Sequence, residues 1–347
     1  MDTALKRQPL IGMLLGWKIS EPFLYACHSF ARERGCGFYY FFTGGIDAGQ
    51  RRIRGFSWNG REWEEGWFPY PDVVYDRYRR RWKDKSGCYD PLSGITSTHT
   101  LPANPGKVAF YRVLSRHPEV KKLLIPYLAK VRPDSLIDFL SKHRKVVLKP
   151  NGGTHGRRTL FITRKESFYE VDDQSHVHIM NRLDLAELAE MLNEQGFLVQ
   201  KAIDSRTRDG APLSLRVHLM KDGAGAWTIL SILVFLSLTP HIGITNHEET
   251  FRSFSVWENF LRSQYSRAEG AGLDKRVRSC ALAVAAALEL EWGSSFHEIG
   301  LDLGIDPSGR LYAFESNVGN VGMRFGELQV ARSGMDYAAY LAGKQQS

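Results

Sequence analysis

Residues 298–306 read Glu298-Ile299-Gly300-Leu301-Asp302-Leu303-Gly304-Ile305-Asp306, and after Pro307-Ser308-Gly309 the chain resumes as Leu311-Tyr312-Ala313-Phe314-Glu315-Ser316-Asn317. Two short apolar runs around a Pro/Gly turn predict a β-hairpin. Strand side chains alternate with a period of two, so Glu315 and Asn317 share a face and Asp302 on the partner strand can point to the same place. Two carboxylates and one amide oxygen form a hard oxygen-donor set. Such a set suits Mg²⁺ bridging nucleotide phosphates better than zinc. Both strands are strongly apolar, and simple solvation does not account for acids placed inside them.

Upstream, the apolar run Val146-Val147-Leu148 leads straight into Lys149-Pro150-Asn151-Gly152-Gly153-Thr154-His155-Gly156. Small residues let backbone amides approach phosphate oxygens, and Lys149 supplies a positive charge at a strand end. Gly152, Gly153, His155 and Gly156 are the candidate phosphate contacts. The spacing is not that of a GxxxxGK[ST] loop, and taken alone the segment reads equally well as a plain hairpin. Arg216, within Leu213-Ser214-Leu215-Arg216-Val217, is costly to bury without an anion. A structural carboxylate and a transferred phosphoryl group or acyl-phosphate both fit as its partner.

The rest of the chain reads as ordinary α and β elements. Strands are expected at Ile11–Leu15, Phe38–Phe42, Asp72–Asp76, Leu160–Ile162, Phe197–Gln200, Leu213–Met220 and Trp227–Leu236, with a hairpin turning at Asn59-Gly60. Helices are expected at Glu21–Arg34, Lys107–His117, Arg132–His143 (capped by Asp134 or Ser135), Asp184–Glu194 and Leu273–Leu290. Ser86–Gly106, rich in Ser, Thr, Gly and Pro, reads as a connection or loop. Arg77–Lys85 is a basic run with Tyr78 and Trp82 interleaved, which fits phosphate or base contacts but equally a solvated face. His176 and His178 read as surface residues, and His297 as a possible lining residue of the acidic hairpin.

At 347 residues, 43% of them hydrophobic, the chain can bury a large core, and its length implies more than one subdomain. The net charge of +8 favours anionic partners without choosing among them. Cys27, Cys36, Cys88 and Cys280 lack CxxC spacing and read as separate thiols of a reducing compartment. Ala224–Ile244 is nearly uncharged over a membrane-spanning length, but its Ser, Thr, Pro and His content and β-branched first half predict two buried strands and no transmembrane segment.

Lys107 opening a helix, Lys149-Pro150 with its glycine loop, Leu198-Val199-Gln200-Lys201, the strand with Arg216, and Asp302 followed by Glu315-x-Asn317 together resemble the ATP-grasp superfamily. The segments DVVYDR (Asp72–Arg77), VVLKPNGG (Val146–Gly153) and EIGLDLGID (Glu298–Asp306) are similar to its YheC/YheD-type, endospore coat-associated members, over roughly residues 10–335. The resemblance implies an α+β ATP-grasp fold. Its parts would be an N-terminal α/β pre-ATP-grasp domain with connection (1–106), a central subdomain with the phosphate loop (107–200) and a C-terminal subdomain with the metal hairpin (201–347).

The resemblance also implies roles. Lys107 and Lys149 would bind ATP phosphates, and Gln200, Lys201 and Ile203 would meet the adenine, largely through backbone groups. Asp302, Glu315 and Asn317 would hold one or two Mg²⁺. Arg216, with Lys149, would stabilise the transferred phosphoryl or the acyl-phosphate. The implied activity is a cytoplasmic ATP-dependent ligase that joins a carboxylate to an amine or thiol, acting on an amino acid, peptide or envelope precursor. Departures from the family pattern at Gly153–Arg158, Ser214, His247-Glu248-Glu249 and Val318-Gly319-Asn320 keep a second function open, that of a non-catalytic or nucleotide-sensing protein of a spore coat or other assembly. Nucleic acid is not an expected partner, and the sequence leaves the oligomeric state, the carboxylate and the nucleophile open.

Overall fold

The computed structural model describes residues 7–78, 87–101, 105–152, 158–238, 252–294, 296–319, 321–322 and 326–344. The first layer is a mixed sheet built from β1 (Leu10–Leu15), β2 (Gly37–Phe42), β3 (Ile46–Asp47), β4 (Arg52–Trp58), β5 (Trp63–Pro69), β6 (Val73–Asp76) and β7 (Thr96–Ser97), in the order β3-β4-β2-β1-β6-β7 with β5 on β4. Helix α1 (Glu21–Glu33) connects β1 to its parallel neighbour β2, and it stops where Gly35 turns to φ +69°. Strand β6 pairs parallel with β1 on the side opposite β2, so the order in which strands are added to the sheet reverses at β1. In open α/β sheets the crevice at the carboxyl ends of such strands is where ligands settle.

The segment expected as a connection is packed in its described part. Cys88, Tyr89 and Leu92 are buried against Leu14, Tyr39 and Phe41, and β7 extends the sheet. Its few apolar side chains outweigh the loop-like composition around them. The hairpin loop of β4–β5 also runs longer than two residues. Trp58 pairs with Trp63, and Asn59 Oδ1 accepts the backbone N–H groups of Arg61 and Glu62.

Next come α2 (Lys107–Arg116), α3 (Pro118–Lys121), β8 (Tyr127–Leu128), α4 (Pro133–His143), β9 (Lys145–Pro150), β10 (Leu160–Arg164), β11 (Tyr169–Asp172), β12 (Val177–Met180), α5 (Arg182–Glu194) and β13 (Phe197–Lys201). The strands form a second sheet in the order β12-β11-β10-β9-β13-β8. Its outer face packs on α4 and α5 through Leu136, Leu140, Val146, Leu148, Leu185 and Val199. Arg132 caps α4 without a side-chain bond, because Pro133 takes the first helical position and leaves Asp134 and Ser135 one step inside. His178 lies on exposed β12 beside Asp173.

The third sheet, β16-β15-β14-β17-β18, is antiparallel: β14 (Leu213–Lys221), β15 (Trp227–Ser237), β16 (Arg252–Val256), β17 (Glu298–Ile305) and β18 (Leu311–Val318). Helix α6 (Trp257–Gln264) precedes α7 (Arg267–Trp292), which starts with a Ser266/Glu269 capping box. Helices α2 and α7 cover one face of this sheet in a core that includes Phe110, Tyr111, Leu215, Val217, Ala281, Leu288, Leu301 and Leu303. Helix α8 (Glu327–Lys344) returns to the first sheet, where Val330, Met335 and Ala338 pack with Ile11, Phe23 and Tyr75. Of the two strands expected in Ala224–Ile244, the first is β15; residues 239–251 lie outside the described residues. Among the described residues the four cysteines are buried and free, and no helix is long and apolar enough to cross a membrane.

Candidate active site between two sheets

Antiparallel pairing sets Arg216 of β14 opposite Asp302 of β17, and Asp302 opposite Glu315 of β18. A β-bulge then inserts Phe314, because Leu303 pairs with Ala313. Strict alternation would turn Phe314 away from Glu315. Instead, a Cβ built on Gly304 would meet the Phe314 ring at 2.2 Å, so the ring lies over the face that Gly304 shares with Asp302. Bulges re-aim side chains in this way beside functional sites, and neither composition nor period signals this one.

Both nitrogens of an Arg216 fork reach Asp302: Nε donates to Oδ1, and Nη2 donates to Oδ2 at 2.8 Å. Asn317 Nδ2 donates to Asp302 Oδ2 at 3.3 Å and to Glu315 Oε1 at 3.4 Å. Lys107 Nζ lies 3.3 Å from Glu315 Oε2, and Lys149 Nζ stands 5.5 Å from the Phe314 ring centroid. Three cations and two carboxylates therefore converge on one spot, together with the Asn317 amide.

Lys149 shares its face of the second sheet with Val147, Leu198 and Gln200, since Lys149 pairs with Leu198 and Val147 with Gln200. That face turns toward α2 and β18. Asn151 ties the two lysines together: its carbonyl accepts the Lys107 N–H at 3.1 Å, and its Oδ1 accepts the Val108 N–H at 2.9 Å. The residue that follows Lys149-Pro150 thus caps the helix that Lys107 opens, a role the sequence reading did not give it.

Electrostatics follow from this crowding. Burial pushes Lys149 down to about 8, a drop that nearby Lys107 adds to and Glu315 opposes. Burial and nearby Glu315 lift Asp302 to about 6 despite Arg216. Burial acts on Glu315 in the same direction, yet Lys107, Lys149 and Arg216 hold it below its ordinary value. A divalent cation would relieve the repulsion between the two carboxylates. Among the described residues no group of three or more His, Cys, Asp or Glu could hold a metal unaided. Two carboxylates plus the Asn317 amide oxygen, after a half-turn of that amide, fit an Mg²⁺ that takes its remaining ligands from phosphate and water.

Gln200 is fully enclosed and lies beside the Tyr111 hydroxyl. Tyr111 donates to the Phe314 carbonyl, and neither polar atom of the Gln200 amide has a hydrogen bond of good geometry. The Gln200 backbone lies in the ladder between β9 and β8, so its side chain, more than its main chain, is available to a ligand. Lys201 ends β13, and half-buried Ile203 follows two residues on. Gly152 borders open space, whereas Gly153, His155 and Gly156 lie outside the described residues, as does most of Arg77–Lys85. His297 is fully buried, stacked on Tyr337 with Nδ1 2.9 Å from the Thr98 carbonyl, so it belongs to the interior. A cavity of about 480 Å³ opens nearby, lined by Gly106, Arg112, Lys130 and Asn151, but none of the site carboxylates borders it.

The YheC/D-like ATP-grasp family model matches residues 99–341. The chain is 25% identical over 316 residues to the endospore coat-associated protein YheD of Bacillus subtilis (strain 168), an alignment covering 84% of this chain and 68% of that one. The endospore coat-associated protein YheC of the same organism is 22% identical over 267 residues, covering 74% and 72%. Among solved structures, the ATP-grasp ligase PsnB complexed with minimal precursor superposes with a TM-score of 0.53 at 14% identity, covering 98% of this chain and 99% of that chain. At that identity the likeness establishes the fold.

Proposed function

The chain belongs to the YheC/D-like ATP-grasp family, and on that premise we propose that it is an ATP- and Mg²⁺-dependent ligase that joins a carboxylate to an amine or thiol through an acyl-phosphate. The observation that carries the reading is the convergence of Lys107, Lys149 and Arg216 on Asp302, Glu315 and Asn317. Catalysis of phosphoryl transfer is chiefly positioning and charge neutralisation, which needs such an arrangement and little else from the protein. The buried amide of Gln200, beside the Tyr111 hydroxyl, suits the edge of a base on the face that Gln200 shares with Val147 and Lys149.

In this reading Lys107 and Lys149 would bind the nucleotide phosphates, and Asp302, Glu315 and Asn317 would hold one or two Mg²⁺, whose positive charge would offset that of the phosphates. Arg216 lies on the far side of Asp302 from Glu315, where it faces the transferred phosphoryl. Carboxylate-dependent release of ADP, screened over amino acids and short peptides, tests the reading. Arg216→Met is expected to lower that rate by about 100-fold or more while nucleotide binding stays within a few-fold.

A second reading, a nucleotide-sensing protein of a coat or other assembly, draws on one specific observation. Arg216 occupies both oxygens of Asp302, which a metal would have to share. Magnesium-dependent ATP binding with no turnover on any carboxylate would favour it.

A further inference from the structure

The polar face of β14 and β17 continues past Arg216 and Asp302. One pleat further along, His218 Nε2 lies 2.8 Å from Glu298 Oε1, and Arg77 Nη1 donates to Glu298 Oε2 at 3.0 Å. Glu298 is fully enclosed, while the side chains of Arg77 and His218 keep 5% and 8% of their surface. Arg77 follows β6, at the point where the chain order of the first sheet reverses, and its N–H is held by the Leu14 carbonyl of β1. Both Glu298 oxygens are thus engaged, and the carboxylate takes the Nε2 proton of the imidazole. No described residue bonds Nδ1, which leaves its lone pair free to accept a proton.

The placement relative to the acidic cluster is specific. Across the sheet, His218 pairs with Gly300 and Gly300 with Asn317. In the adjoining row, Arg216 pairs with Asp302 and Asp302 with Glu315. The two rows are about 7 Å apart along the strands, and neighbouring strands are about 4.8 Å apart. Gly300, the middle member of the His218 row, carries no side chain, and Val321 and Arg216 pack over it: a Cβ there would meet Val321 Cγ1 at 2.7 Å and Arg216 Cδ at 3.1 Å. In the proposed reading the lysines mark the nucleotide side of the cluster at Glu315, and His218 stands two strands away on β14, one pleat along from Arg216.

We propose that His218 is the general base of the ligation half-reaction, oriented by Glu298 and Arg77; the proposal rests on the ligase reading above. The amine nitrogen forms its bond to the acyl carbon as the bond from that carbon to the phosphate oxygen breaks, and phosphate leaves with the electron pair. The proton shed by the nitrogen passes to Nδ1 of His218. Glu298 stabilises the resulting imidazolium, and Arg77 keeps Glu298 from turning away. An oriented base within reach of the nucleophile contributes about 10²–10⁴-fold.

The test partitions the acyl-phosphate of the full-length protein between two nucleophiles. ATP, Mg²⁺ and each of the amino acids as carboxylate are supplied with either hydroxylamine, which is mostly unprotonated at neutral pH and needs little base assistance, or a second amino acid. His218→Asn is expected to lower the amide-to-hydroxamate ratio about 100-fold. Glu298→Gln, which keeps the ring but removes the charge that steadies it, lowers the ratio about ten-fold, and added imidazole partly restores amide formation in His218→Ala. A ratio unchanged in both substitutions, whether the absolute rates hold or fall together, overturns the base. Absence of carboxylate-dependent ADP release from the wild type overturns the ligase reading itself, and the base with it.

Discussion

Lys149 is the residue at which burial and charge most directly oppose each other. Burial brings its ammonium down to about 8 from 10.5, so between those values the unfolded chain binds more protons than the folded one. Stability should therefore rise with pH through that window. In the proposed function nucleotide phosphates add anionic charge beside Lys149, and binding should return its proton. At pH 8 calorimetry in buffers of different ionisation enthalpy should show uptake of roughly half a proton by this lysine, abolished in Lys149→Met. Asp302 has the opposite sign. Raised to about 6 by burial and nearby Glu315, it binds more protons folded than unfolded below that value, and its contribution to stability falls as pH rises from about 4 toward 6. The residue types of this site were legible in the sequence, because acids and cations inside apolar strands are conspicuous. Their partnerships were not. Arg216 bonding Asp302, Asn151 capping α2 and His218 bonding Glu298 depend on cross-strand register and helix docking, which no local pattern encodes.

Among elements, the β17–β18 hairpin decides the geometry. Its strands and its turn at Pro307-Ser308-Gly309 follow from alternation and turn chemistry, and Asp306 Oδ1 accepts the N–H groups of Ser308 and Arg310 to close it. The bulge that brings Phe314 and Glu315 to one face came from no such rule. It requires Gly304, over which the ring lies; Gly300, in register ahead of the bulge, is covered instead by Arg216 and Val321. Gly300→Ala would force a Cβ to within 2.7 Å of Val321 and 3.1 Å of Arg216. The expected result is a protein destabilised by about 1–3 kcal/mol in denaturant unfolding, with a larger loss of turnover than of ATP binding. Helices read well wherever an apolar stripe had clear stops. The described part of the Ser86–Gly106 connection did not, because Tyr89, Leu92 and Ile95 find the first sheet's core from within a sequence that reads as loop.

Across the whole molecule, the first and third sheets are joined by buried charge as well as by α8. Arg77 and Glu298 come from different sheets and pair out of reach of water. Removing one partner of such a pair strands the other charge, at about 3–5 kcal/mol. Arg77→Met should lower the unfolding free energy by that amount, and restoring the balance with Glu298→Gln in the same chain should recover part of it. The α+β class and the order of lysine, arginine strand and acidic hairpin were legible in the sequence, while most of the glycine loop lies outside the described residues. The docking of α8 onto the first sheet was not, since small residues such as Ala331, Gly334 and Ala338 say that something packs closely without saying what.

Clamping of ATP between the two sheets, through metal held by Asp302, Glu315 and Asn317, is the core of the proposed function. It is tested most directly by titrating ATP into the wild type and Glu315→Ala, with and without Mg²⁺, in a calorimeter. Binding that requires Mg²⁺ and is lost or weakened at least about 100-fold in Glu315→Ala is the predicted result. Equal binding by both proteins, or none by the folded wild type, would contradict it.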